Sequence, residues 1–295
     1  MVCKIKMIWR NDKKIGKMTL VIIVATIVGI TALSGCIEND AEGLPIVVVG
    51  RDSASGTREF FYEHVMDKED FVDTMLEKNS NGAVHTTVSQ TEGAIGFVGL
   101  GYIDDAIKAL KIEGVEPNVA NVMSGDYPIA RNLNMFTNGE PTGIALEFLN
   151  YIDSEEGQTI VSEEGFVPKT GTGPYATVEG LSGTISIVGS TTVLPIASQA
   201  ADAFNLLYPD VIVTVSGGGS SVGVQSAGEG SADIGMASRE IKSSEETSYP
   251  DLEKHIVCSD GIAIIVHPDN NYVTDISVEQ VKAIYLGTYT NWNEI

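Results

Sequence analysis

Hydroxyl and glycine residues gathered at three places are the groups in this chain best suited to chemistry, and the chemistry they suit is the holding of an anion. Ser53-Ala54-Ser55-Gly56-Thr57, Gly189-Ser190-Thr191-Thr192 and Gly217-Gly218-Gly219-Ser220-Ser221 each stand directly before a stretch that reads as a helix. The first turn of a helix carries N–H groups without intrahelical partners and the positive end of the helix dipole, so an anion is held there without a dedicated cation. Small hydroxyl residues add donors, and glycine lets a ligand approach the backbone. Arg51 and Arg58 flank the first loop, and guanidinium groups match tetrahedral oxyanions through paired hydrogen bonds. Each loop alone is weak. The Gly217–Ser221 run lacks the Lys-Ser/Thr of a nucleotide-binding P-loop, Gly189–Thr192 reads equally as a plain helix cap, and the arginine-flanked loop is the strongest of the three, with a surface ion pair as its plain alternative. Three such loops at strand-to-helix junctions of one chain together describe an oxyanion pocket. Neither Ser55 nor Ser220 has an identifiable His–acid partner, so no nucleophile and no enzyme is expected. The four scattered histidines, His64, His85, His255 and His267, suggest no metal site, and no cofactor is expected.

The elements around these loops alternate between strand and helix. Leu44 to Val49 is apolar and β-branched, as a buried parallel strand should be, and Arg58 to Met66 reads as the amphipathic helix that follows. Gly93 to Gly99 reads as a strand, and 142–150 and 157–163 as helices. Gly171 to Gly183, with two Pro/Gly-rich turns, reads as a linker. Thr184 to Val188 is a strand, Leu194 to Leu207 a helix opened by Pro195, and Val211 to Val215 a strand; the third hydroxyl loop and a short helix containing Val222 to Ala227 follow. Gly261 to Val266 reads as a strand and Ser277 to Ile284 as a helix. Repeated βα units favour an α/β sheet with ligands at the carboxyl ends of its strands.

Composition limits the partners. A chain of 295 residues, 43% hydrophobic, is long enough for two lobes with their own cores. Six basic residues between Lys4 and Lys17 precede an apolar run from Leu20 to Leu33 and then Ser34-Gly35-Cys36, the layout of a secretory signal over 1–35. Leu33-Ser34-Gly35-Cys36 resembles the lipobox of prokaryotic lipoproteins, which marks Cys36 for lipidation, 37–43 as a polar linker, and the protein as exported and anchored at the outer face of the membrane. A retained signal anchor is the alternative. Removing six basic residues and one acidic residue (Asp12) from totals of 18 and 40 leaves a formal charge of −27, which excludes nucleic acid as a partner. An anionic ligand is not excluded, because bulk charge is screened beyond about 8–10 Å while N–H groups in contact are not. Cys258 has no partner for a disulfide.

At the loops and the segments around them the chain resembles the phosphate-binding proteins of high-affinity phosphate ABC transporters, of the periplasmic-binding-protein type II superfamily. Gly183 to Ile295 is similar to the amino-terminal half of that family through Gly-Ser-Thr-Thr-Val, Gly-Gly-Gly-Ser-Ser-Val-Gly-Val, Ala232 to Arg239 and the closing Asn-Trp. Leu44 to Lys169 is similar to its carboxyl-terminal half through Arg51 to Thr57, Gly93 to Ile103, Tyr127 to Arg131 and Gly165 to Pro168. The halves stand in reversed order, which implies either a circular permutation joined through 171–183 or the remnant of tandem genes. The resemblance implies a two-lobed, hinged α/β fold, with lobe A formed by 44–126 plus 251–295 and lobe B by 127–250.

The implied function is capture of inorganic phosphate between the lobes for delivery to an ABC permease. Thr191, Thr192 and Ser220 would supply donors from one lobe, with Ser221 as a further contact, and Arg51, Ser55, Gly56 and Thr57 from the other. The family places an aspartate just after the Ala-Asp-Ile-Gly-type strand, where it accepts the proton that phosphate still carries; an acceptor there disfavours fully ionised sulfate. Here that position is Arg239. Glu240, Asp52 or another group takes the role, or discrimination is weaker and the ligand is another oxyanion such as sulfate, molybdate or tungstate. Arg239 either binds the anion or pairs with a neighbouring carboxylate. A sensory or degenerate module of the same fold is the remaining alternative.

Overall fold

A computed structural model describes residues 43–295. The expected signal segment, Cys36 as the expected site of lipidation, and all but the last residue of the 37–43 linker lie outside the described residues. β1 (Val47–Arg51) ends at the first hydroxyl loop and α1 (Gly56–His64) begins in it, with Ser55 Oγ capping the helix by accepting from Arg58 N at 3.3 Å. β2 (Leu76–Lys78) leads to α2 (Asn81–Ser89), capped in the same way by Ser80. β3 (Ala94–Gly99), β4 (Lys108–Ala109), β5 (Lys111–Ile112), α3 (Val119–Ser124), β6 (Ala130–Asn138), α4 (Gly143–Ile152) and α5 (Glu155–Glu163) complete the first half. After an irregular stretch come β7 (Gly183–Gly189), α6 (Leu194–Leu207), β8 (Val211–Ser216), α7 (Ser220–Gly228), β9 (Ile234–Ala237), α8 (Ser243–Ser248), β10 (Leu252–Val266), β11 (Asp275–Ile276) and α9 (Val278–Tyr285).

The main sheet runs β2-β1-β3-β10-β6-β9-β7-β8, with β4 added beside β10. β1 is parallel to β2 and β3 at one end, and β7 is parallel to β8 and β9 at the other. Between them β10 runs antiparallel to β3 and β6, and β6 antiparallel to β9. Two parallel βα halves, whose strands feed helices at their carboxyl ends, are thus bridged by two long antiparallel strands.

Each half has its own core. One gathers Phe61, Phe97, Tyr285 and Trp292, with ring centroids of 4.3 Å for Phe61–Phe97 and 4.9 Å for Phe61–Tyr285; its chain comes from 48–129 and 262–292, joined by Val167. The other gathers Phe148, Ile187, Phe204 and Met236 from 133–258. β6 and β10 pass from one core to the other together. Ile129 and Ile262 belong to the first, Leu133 and Cys258 to the second, and Arg131 and Asp260 are paired in register between them. The packing therefore changes at 129–133 and 258–262, whereas the resemblance implies boundaries at 126/127 and 250/251.

Three departures from the sequence pattern have physical reasons. The strand expected from Leu44 begins at Val47, because Leu44 to Ile46 lies along the 290–292 segment instead: Ile46 N donates to Thr290 O at 2.8 Å and Trp292 N to Leu44 O at 3.0 Å. The strand expected over 261–266 is the last part of a 15-residue strand whose earlier residues, Glu253, Lys254 and His255 among them, break the apolar run. β6, Ala-Arg-Asn-Leu-Asn-Met-Phe-Thr-Asn, is equally masked by buried polar residues such as Asn134.

Candidate functional site

The three hydroxyl loops come together where the two halves of the sheet face each other. Thr192 Oγ1 is the hub: it shares a hydrogen bond with Thr57 Oγ1 at 3.1 Å, accepts from Asn81 Nδ2 at 2.9 Å, and lies 3.5 Å from Arg131 Nη2. Asn81 Nδ2 also reaches Thr191 Oγ1 at 3.3 Å, and Tyr102 donates its hydroxyl to Thr191 O at 2.5 Å. Ser220 Oγ accepts from Ser238 N at 3.0 Å and lies 3.4 Å from Ser238 Oγ, which in turn is 3.5 Å from Thr57 Oγ1. Thr57, Asn81, Thr191, Thr192, Ser220 and Ser238 are all buried.

Local sequence explains how so many donors approach so closely. Gly56, Thr57, Asn81 and Ser220 occupy the first two positions of α1, α2 and α7, where the N–H groups have no intrahelical acceptor. A Cβ on Gly56 would stand 2.2 Å from Ser220 Oγ, so the α1 start meets the α7 start only because that residue is glycine. Gly219 caps α7 at φ +96°, and a Cβ there would be 2.6 Å from Ala54 O. Both loops are closed against each other by Ser221 N donating to Ala54 O at 3.1 Å, and at the rim Lys242 pairs with Glu59 at 2.9 Å.

Charge enters through two buried arginines. Arg51 is 1% exposed and donates from Nε to Lys78 O at 3.2 Å and from Nη2 to Asn79 O at 3.3 Å, the carbonyls just before α2. Burial pulls its guanidinium down to about 10, with Asp52 opposing the fall and Arg131 adding to it; it stays charged at neutral pH. Tyr102 is raised to about 12, by burial first, against the pull of Arg51. Arg131 donates from Nε and Nη2 to Asp260 Oδ2 at 3.1 and 2.8 Å and from Nη1 to Ser238 O at 2.9 Å, while Leu100 N donates to Asp260 Oδ1 at 3.0 Å. Burial pushes the Asp260 carboxyl up and the Arg131 guanidinium down, and each partner opposes the shift of the other. The two-donor contact and the amide bond to Oδ1 hold the pair ionised.

The remaining residues singled out by sequence are placed as follows. Ser55 is committed to capping α1. Arg239 is buried and clamps Glu245 with both terminal nitrogens, Nη1 at 2.7 Å and Nη2 at 2.6 Å; it also donates to Glu240 O and to Ser221 Oγ, which draws the Ser221 hydroxyl toward Arg239. Its Nε has no partner. Glu240 is paired with Lys254 at the surface. Asp52 Oδ1 is buried without a partner.

Asn81, Tyr102, Arg131, Ser238 and Asp260 are the site residues that sequence reasoning did not single out. Ser80-Asn81 has the form of a helix cap, and Asp260 is a charge at the head of the buried run 261–266, so both left a signal. Arg131 and Ser238 left none beyond their place in the motifs quoted for the resemblance. Among the described residues there is no cluster of metal-binding side chains and no helix long and apolar enough to cross a membrane.

Residues 10–156 and 175–294 match the PBP superfamily domain. The chain is 35% identical over 292 residues to the phosphate-binding protein PstS 2 of Streptococcus agalactiae serotype V, covering 95% of this chain and 98% of that protein. It is 40% identical over 127 residues to the phosphate-binding protein PstS of Bacillus subtilis, covering 42% of each. The crystal structure of a phosphate-binding protein of a phosphate ABC transporter from Streptococcus pneumoniae TIGR4 superimposes with a TM-score of 0.69 at 33% identity, over 85% of this chain and 99% of that one.

Proposed function

This chain belongs to the PBP superfamily, in the family that holds the PstS phosphate-binding proteins, and from that premise we propose that it captures inorganic phosphate between two lobes and delivers it to an ABC permease. The observation that carries this reading is the meeting of both halves of the sheet at Thr192 Oγ1, where Thr57 and Asn81 from one half and Arg131 from the strand between reach Thr192 of the other half. Phosphate would take the first-turn N–H and hydroxyl donors of Gly56, Thr57, Thr191, Thr192 and Ser220, with Arg51 and Arg131 supplying positive charge. Closure about β6 and β10 would remove the ion from water, and donors set in a desolvated cleft bind an anion more strongly than the same groups in solvent.

The lobes on this reading are the two cores, hinged where Arg131 faces Asp260. The same premise supports a circularly permuted order of halves relative to the usual family member. The pairing of Leu44–Ile46 with the 290–292 segment in one core supports it. Export and anchoring through a lipidated Cys36 complete the proposal and are tested by metabolic labelling with a fatty acid, with Cys36→Ala as control.

Calorimetric titration of the purified protein with phosphate and with sulfate tests the binding reading. Phosphate is expected to bind tightly and sulfate weakly; heat from sulfate alone would move the assignment to another oxyanion, and heat from neither at millimolar concentration would overturn it.

A further inference from the structure

Phosphate near neutral pH carries at least one proton and sulfate carries none, so a site that prefers phosphate needs an acceptor aimed at the ion. Arg239, at the position where an acceptor was expected, is a donor clamped to Glu245, and Glu240 is engaged with Lys254 outside the cluster. Asp260 is occupied on both oxygens, by Arg131 and by the Leu100 amide. Asp52 also has an oxygen without a partner, but the residue is only half-buried and no hydrogen bond ties its side chain to the cluster. Hydroxyls of Thr57, Thr191, Thr192, Ser220 and Ser238 accept or donate by rotating, and so do not discriminate.

Asn134 Oδ1 is also unpaired, but its Nδ2 is tied to Arg239 O and no hydrogen bond joins it to Thr57, Thr191 or Thr192; an obligate acceptor tied directly to those threonines is Asn81. Asn81 is fully buried at the start of α2, its Nδ2 is spent on Thr191 and Thr192, and its Oδ1 is buried with no hydrogen-bond partner. An amide oxygen left so costs free energy unless a donor arrives. Resting on the phosphate reading above, we propose that Asn81 Oδ1 accepts the proton of bound hydrogen phosphate and is the residue that sets phosphate against sulfate in this chain. A phosphate O–H supplies the missing donor; a sulfate oxygen in the same place opposes lone pair to lone pair.

The test is the ratio of dissociation constants for sulfate and phosphate, measured at pH 7 by calorimetry with sulfate read by competition, in wild type, Asn81→Ala and Asn81→Asp. Asn81→Ala is expected to lower the ratio at least tenfold by relieving sulfate. Asn81→Asp, of the same shape and still an acceptor, is expected to raise it at least tenfold, and it carries the test if the alanine variant does not fold. A ratio within about twofold of wild type in both variants overturns the proposal, as does an equal loss for the two anions, the outcome if the amide presented its nitrogen. Wild-type protein that binds neither anion, or that prefers sulfate, contradicts the phosphate reading itself before any variant is compared.

Discussion

Replacing Asp260 with asparagine probes the buried pair at the crossing of β6 and β10. The carboxylate serves two clients at once: Oδ2 accepts both Arg131 donors and Oδ1 accepts Leu100 N. An amide has one accepting end. Turned either way, the substituted side chain would set its NH2 against the Arg131 guanidinium or against the Leu100 amide, and in both cases the fully buried Arg131 loses its counter-charge. Breaking a buried pair on one side costs about 3–5 kcal/mol. For a folded unit of this size each kcal/mol lowers Tm by roughly 2–4 °C, so a fall of about 6–20 °C is expected in thermal unfolding followed by circular dichroism. Saturating phosphate returns negative charge to the neighbourhood of Arg131, so the ligand should raise Tm more in Asp260→Asn than in wild type. An unliganded Tm within about 2 °C of wild type, or a smaller ligand-induced rise in the variant, would refute the reasoning that this pair is ionised and that the anion sits beside it.

Arg51→Ala removes a charge that burial has not neutralised and is expected to weaken phosphate binding by about 2–5 kcal/mol; an unchanged dissociation constant in calorimetry counts against its place at the ion. Lys242 and Glu59 join the two sides of the cleft while partly exposed, so a double-mutant cycle with Lys242→Glu and Glu59→Lys should give a coupling of about 0.5 kcal/mol in the phosphate off-rate, shrinking with salt. Zero coupling at low salt would show that the pair does not hold the closed cleft. His255, hydrogen-bonded to Thr137, is held below its ordinary value by burial, with Lys169 adding to this and Glu253 and Glu140 opposing it. Because the folded value is the lower one, its contribution is present above the unfolded value of about 6.5 and is lost as pH falls through the window below it. Tm of wild type should therefore fall more steeply than that of His255→Gln between neutral and acidic pH, and parallel curves would contradict this.

What the sequence made legible follows from where polarity lies. The βα units were readable because β1, β3 and β7 are largely apolar runs that close at glycine or hydroxyl loops, with the Ser55 cap after β1 and the Pro195 opening after β7 marking where helices start. The bridging strands were hidden for the opposite reason: β6 buries Asn134 and Arg131, and the first part of β10 is charged, so neither has the pattern that marks a strand. The same holds in the site. Thr57, Thr191, Thr192 and Ser220 announced themselves as hydroxyls at helix starts, whereas Arg131 and Asp260 act through each other, 129 positions apart, and Asn81 through Thr191 and Thr192, 110 and 111 positions away; no local pattern encodes such distances. Arg239 was visible, but its choice between an anion and a carboxylate was decided by Glu245, six positions on, which only the loop into α8 brings within reach.

The position of a bound ion is the most direct measurement of whether the three loops form one site. A crystal structure of the protein grown with phosphate should show one tetrahedral ion within hydrogen-bonding distance of Thr57, Thr192 and Ser220 together, held by groups from both cores. An ion held by one core alone, or seated away from Thr192, would contradict it.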